Sequence, residues 1–171
     1  EKRWLKRRFK EYEIKNEDVS ELKIRMDIIP TSLAIAQAAK ESGWGTSRFA
    51  LEGNAMFGQW TYGKDGIEPS MKSKGEGHKI LRFPMLRSSV NAYQKNLNTH
   101  KSYKAFREKR SLIRSKNKKI SGLELVGYLK SYAATGEDYV KDLRQIINQN
   151  SLTDFDNSTL VNYSRSSSFT L

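Results

Sequence analysis

The stretch that most constrains this chain is PTSLAIAQAAKESGWG, residues 30–45. Pro30 suits the first turn of a helix, because its fixed φ matches the helix and its missing N–H is not needed there. Leu33, Ala34, Ile35, Ala36, Ala38 and Ala39 then make that helix apolar almost all round. A helix without a polar face has to be enclosed by other elements, so it is expected at the centre of the domain. One carboxylate, Glu41, arrives at its end. Gly43 and Gly45 follow, permitting a tight turn and the close approach of a bulky ligand to the backbone.

The rest of the chain supplies the enclosure. Leu5, Phe9 and Tyr12 recur at helical spacing, and a second helix is expected from Asp18 through Met26, so residues 1–26 form an N-terminal helical extension. Residues 53–87 hold six of the eleven glycines, with Trp60, Tyr62, Pro69, Pro84 and the alternating HKILRF. That composition predicts a small β-lobe of short strands and turns. Helical periodicity returns at Ser88, with Val90, Tyr93 and Leu97 on one face, and again around Tyr103 and Phe106. SGLE at 121–124 reads as a capping box opening a helix through Leu125, Val126, Tyr128 and Leu129. A last helix carries Tyr139, Val140, Leu143, Ile146 and Ile147, with Glu137 and Asp138 at its positive N-terminal end. After about Asp156 the Ser-rich residues 157–171 read as a tail. The expectation is one α+β, mainly α, domain over residues 1–156, with a cleft between its helical and β parts.

Composition narrows the function classes. A net charge of +12 attracts any polyanion and does not choose among them. The aromatics are not interleaved with Lys and Arg in an RNA-binding pattern, so no nucleic-acid partner is expected. There is no cysteine, and His78 and His100 are too few for a metal cluster, so neither metal nor cofactor is expected. No run approaches the ~18 apolar residues of a membrane span. The first residue is Glu1 rather than Met, which fits a removed leader.

Glu41 lies one helical turn beyond Gln37 and Ala38, so its nearest helix-face neighbours offer no cation, while the negative end of the helix is close. Both terms, with burial, favour the protonated acid. A carboxyl group kept partly protonated near neutral pH is what a general acid for glycosidic-bond cleavage needs. The alternative role is a turn cap or a surface pair with Arg48.

PTSLAIAQAAKESGWGTSRFALEGNAMFGQW resembles the signature of the Bax-like branch of bacterial glucosaminidases, glycoside hydrolase family 73. SVNAYQKNLNTHKSYKAFREKR and GYLKSYAATGEDYVKDLRQII are similar to the later helices of that family, so the resemblance runs over roughly residues 27–148 in the family's order. It implies a lysozyme-like fold, a peptidoglycan substrate, an exported protein of the periplasm or cell envelope, and Glu41 as proton donor. A monomer is expected. The rival activities are a muramidase or lytic transglycosylase of the same fold, or an inactive wall-binding module.

Other candidates surround that acid. Trp44, Trp60 and Tyr62 offer flat faces to pyranose rings, and Asn54 and Gln59 are amides able to bond N-acetyl or hydroxyl groups; each also has a structural reading as core or turn cap. Hydrolysis usually needs a second carboxylate. The β-lobe offers Asp65, Glu68 and Glu76; Glu76, between glycines in KGEGHKI, is favoured by resemblance to the family's mobile lobe, with Glu68 second. An N-acetyl sugar can instead supply its own nucleophile, leaving a tyrosine to steady the charge. SYAATGEDYV resembles the family's late motif, in which a tyrosine faces the acid. Tyr139 recurs at core spacing with Leu143, Ile146 and Ile147, whereas Tyr132 falls at the ATG turn and is the preferred catalytic candidate; Tyr139 stands as a substrate contact.

Overall fold

The computed structural model describes residues 1–69 and 77–159. Two helices lead in: α1 (Lys2–Glu11), which buries Phe9, and α2 (Val19–Arg25). Asp18 caps α2 by accepting from Ser20 N at 2.7 Å and Glu21 N at 3.3 Å. The apolar stretch forms α3 (Thr31–Ser42), with Pro30 at its cap position. It packs against α8 (Glu137–Gln149), α7 (Gly122–Leu125) and a 3-10 turn at Leu152–Asn157, and so is the central helix its composition requires.

Its start is tied down by a residue from the far end of the chain. The Asp156 carboxylate accepts from Ser32 N and Ser32 Oγ, both at 2.8 Å, and from Gly122 N at 3.0 Å. One anion thus satisfies the free N–H groups that open both α3 and α7. Here α7 comes so close that a Cβ on Gly122 would lie 2.2 Å from Ser32 Oγ, so only glycine fits.

Two more helices complete this lobe: α5 (Leu86–Thr99) and, after a 3-10 turn at Lys101–Tyr103, α6 (Lys104–Ser115). Two arginines of α6 are buried, and both cap other helices. Arg107 donates to Leu97 O and His100 O at the end of α5, and Arg110 to Ile24 O in the last turn of α2 and Ile28 O just beyond it, at 2.8–3.1 Å. Buried cations are tolerated here because they meet helix C-terminal carbonyls. Burial still lowers the Arg110 guanidinium to about 10, against the pull of Asp27.

The β-lobe is thinner than the glycine count suggests. A short α4 (Arg48–Gly53) precedes three strands, β1 (Trp60–Thr61), β2 (Gly66–Ile67) and β3 (Lys79–Leu81), which pair antiparallel in the order β1-β3-β2. Trp60 faces Ile80 and Ile67 faces Ile80 from the other side. The lobe closes at its base, where Phe83 N donates to Gly53 O at 2.8 Å and Asn54 Nδ2 to Phe83 O at 3.0 Å.

The helical periods mostly hold, with two differences. Val90, expected on the inner face of α5, is 39 % exposed. The helix expected from Ser121 through Leu129 stays α-helical only to Leu125 and continues as 3-10 turns at Val126–Tyr128 and Lys130–Tyr132. Gly127 in that run disfavours an α-helix by about 1 kcal/mol.

Charge is unevenly spread. Residues 1–11 carry six cations and two acids, residues 101–119 nine cations and one acid, and together they account for the whole +12. The remainder of the chain is balanced. Among the described residues no helix is long and apolar enough to cross a membrane.

Candidate active-site cleft

The end of α3 is set by local bonds. Ser42 Oγ donates to Ala38 O at 2.6 Å and accepts from Gly45 N at 2.7 Å, while Trp44 N donates to Ala39 O at 2.7 Å. Gly43, Trp44 and Gly45 all have positive φ, 58°, 58° and 80°, so the chain leaves the helix at once. Glu41 is thereby held in the last helical turn, half-buried, at the bottom of a cleft of about 370 Å³ between the helical lobe and β1.

Phe57, Gly58, Gln59 and Trp60 form one side of that cleft; Asn96, Tyr103, Tyr132, Ala133 and Ala134 form the other. Glu41 is the one carboxylate lining it among the described residues. Gly58, at φ 60°, presses its backbone onto the acid: a Cβ there would lie 2.9 Å from Glu41 Oε2. Trp60 is 64 % exposed, with one face stacked on His78 at 4.1 Å.

Beneath the carboxyl runs a buried chain of polar side chains from three helices. Tyr93 Oη donates to Gln37 Oε1 at 2.8 Å, and Gln37 Nε2 donates to Tyr139 Oη at 2.9 Å. Tyr139 in turn hydrogen-bonds the Glu41 carboxyl. Tyr132 stacks flat on Tyr139, 5.6 Å between ring centres, and its hydroxyl donates to Phe57 O at 3.0 Å. Tyr132 therefore fixes the backbone immediately before Gly58.

Burial pushes the Glu41 carboxyl above its ordinary value, opposed by the Tyr139 hydrogen bond and by the charge of Lys40. The helix-face neighbours one turn back, Gln37 and Ala38, are uncharged, but Lys40, next in sequence, also acts on the acid while paired with Asp142 at 2.6 Å. Burial and the Glu41 charge push both tyrosine hydroxyls, Tyr132 and Tyr139, far up, so both are neutral. Arg48 pairs elsewhere, with Glu52 at 3.8 Å and through a hydrogen bond to Glu68 O.

The other sequence candidates separate. Gln59, Trp60 and Tyr132 line the cleft with Glu41. Tyr139 is 1 % exposed and reaches the acid from beneath rather than from the cleft. Asn54 spends its amide on Phe83 O and ends α4, and Tyr62 and Trp44, 81 % and 62 % exposed, are not among the lining residues. Glu68 sits 3.6 Å from Lys79 on the β-lobe, and Asp65 is exposed, both outside the cleft lining. Glu76 lies outside the described residues. Sequence reasoning missed Gln37, Gly58, Tyr93, Asn96 and Tyr103. A polar residue within an otherwise apolar helix was the available signal for Gln37.

The family model for mannosyl-glycoprotein endo-beta-N-acetylglucosaminidase matches residues 16–152, which takes in everything from the lead into α2 to the turn after α8. The chain belongs to the glucosaminidase family. Over 115 residues it is 37 % identical to Protein bax of Escherichia coli, a stretch that covers 67 % of this chain and 40 % of that protein. The match thus spans less than half the length of its curated relative. No solved structure matches the chain. The resemblance to the Bax-like branch holds, and the family match extends it toward the N-terminus as far as residue 16. The matched residues 16–152 include the acid, the glycines after it and the Gly58–Gln59–Trp60 run that forms the opposite wall.

Proposed function

We propose that this glucosaminidase-family chain is a peptidoglycan hydrolase, an endo-β-N-acetylglucosaminidase that cuts the glycan strand after N-acetylglucosamine with Glu41 as general acid. The observation that carries the reading is the state of Glu41: a half-buried carboxyl, raised above its ordinary value, at the floor of an open cleft. Such a group holds a proton to give to the leaving oxygen. Trp60 offers its free face to a pyranose ring. Gln59 lines the cleft with an amide able to hydrogen-bond the acetamido group.

The cleft has no second carboxylate among the described residues. The positive charge that develops on the sugar is met in this reading by the substrate's own acetamido oxygen. Tyr132 then acts indirectly: by holding Phe57 O it keeps the β-side backbone against the acid. The protein works in this proposal as a monomer in the periplasm or cell envelope, on glycan strands whose acidic groups its basic surface attracts.

Digestion of purified peptidoglycan, with mass analysis of the fragments, tests the proposal. Reducing N-acetylglucosamine ends are expected. Reducing or anhydro-muramic ends would assign the cleft to a muramidase or lytic transglycosylase, and intact strands to a wall-binding module.

A further inference from the structure

Gln37 is fully buried one helical turn before Glu41, and its amide has no freedom left. Tyr93, also buried, spends its only proton on Gln37 Oε1. In the structure the other end of the amide, Nε2, faces Tyr139 and donates to it at 2.9 Å. A phenol oxygen has one proton and accepts best in the plane of its ring. With the accepting side of Tyr139 Oη occupied by Gln37, its proton is left for Glu41.

We propose that Gln37 is a positioning residue that makes Tyr139 a one-way hydrogen-bond donor to Glu41 and so sets how readily that carboxyl gives up and regains its proton. The consequence for catalysis rests on the reading of Glu41 as the general acid; the effect on the carboxyl itself does not. A donor-only neighbour stabilises the carboxylate more than the protonated acid, whose carbonyl oxygen accepts a weaker hydrogen bond and whose proton finds no acceptor there. It works against burial, which alone would hold the proton too tightly for an acid that must be deprotonated by the end of the leaving-group step.

The remaining groups facing Glu41 do not duplicate this role. Lys40, on the same helix, is shared with Asp142 of α8. Tyr103 from the turn before α6 and Tyr132 from the turn before α8 are neutral, held so by burial and by the charge of Glu41. The β side presents the backbone of Gly58.

The test is a carboxyl titration of Glu41 by carbon-13 NMR in the substrate-free full chain. Tyr139→Phe removes the donor and one oxygen, and its midpoint is expected to rise by about one to two pH units. Gln37→Met removes the amide, lets Tyr139 accept from the protonated acid, and is expected to raise the midpoint by less. Tyr93→Phe releases the anchor of the amide without touching Gln37, and reads the same link should Gln37→Met fail to fold; a smaller rise is expected. A midpoint unmoved in the folded Gln37 and Tyr93 variants overturns the proposal, whatever happens to melting temperature. Peptidoglycan digestion is scored separately on the parent: shifted midpoints in a protein that cuts nothing keep the hydrogen-bond chain and remove Glu41 from catalysis.

Discussion

The two walls of the cleft are built differently. The helical wall is deep: Glu41 stands on a central helix, and every polar group beneath it, through Gln37, Tyr93 and Tyr139, is bonded inside the core. The β wall is thin, with strands of two or three residues, a glycine against the acid, and Trp60 largely in solvent. A proton-transfer group needs fixed geometry and controlled solvation, which a packed helical core provides. A glycan-facing platform needs exposed apolar area, and a core cannot offer it. On the proposed reading the helical wall carries the chemistry and the β wall the recognition, and substitutions on each side have distinct expected signatures.

The largest effect is expected at Glu41. Glu41→Gln keeps the shape and removes the transferable proton, a change typically worth ~10²–10⁴-fold in rate. Clearing of cell-wall suspensions at close to the normal rate by this variant would sink the assignment. Stability should move the other way. The folded-state value of Glu41 is raised, so folding favours its protonated form; the cost of ionising it is absent below the ordinary carboxylate range and grows as pH rises through the raised value. Glu41→Gln is therefore expected to match the parent's melting temperature at acid pH and exceed it at neutral pH. The parent's turnover should fall as pH rises through that same value, because the acid loses its proton.

Next in size is Gly58, where the two walls touch. Gly58→Ala places a methyl 2.9 Å from Glu41 Oε2 at a φ that L residues rarely adopt. Either the carboxyl or the β-side backbone must move, and a small misplacement at a reacting centre can cost ~10²-fold. Turnover is expected to fall steeply with KM little changed; a variant of normal turnover would show that the β wall approaches the acid without constraining it. Tyr132→Phe acts on the same backbone through Phe57 O and is expected to lower turnover less, with a small change in melting temperature measured by calorimetry.

The same division explains what could be read from residues alone. The helical lobe announced itself by period: the apolar run of α3 and the buried set Tyr139, Val140, Leu143 and Ile147 follow from spacing and side-chain chemistry. Glu41 was legible because it ends an apolar helix. Tyr139 was legible as core, but core spacing says nothing about which way its hydroxyl points, and that hydroxyl is what reaches the acid. Arg107 and Arg110 went unread because charged residues on a helix normally face solvent; the helix ends they cap come from distant parts of the chain. In the β-lobe, composition indicated strands and turns without register. Exposed aromatics close in sequence, Trp60 and Tyr62, looked equivalent until the fold put one in the cleft and the other outside it.

That pair gives the smallest and most discriminating prediction. Trp60 lines the cleft and is braced on one face by His78, so a sugar meets a pre-positioned ring; Tyr62, two residues on, is 81 % exposed and outside the lining. Stacking on an aromatic face is worth about 0.5–1.5 kcal/mol, roughly a twofold to tenfold change in affinity. Because a ring contact of this kind binds substrate and transition state alike, Trp60→Ala is expected to raise KM by that factor and leave turnover nearly unchanged. Tyr62→Ala is expected to leave both within error. Steady-state kinetics on soluble glycan fragments separate the cases. A loss of turnover in Trp60→Ala would place this ring in the chemistry and break the division between walls, while equal KM increases for both variants would extend the recognition surface beyond the cleft along the β-lobe.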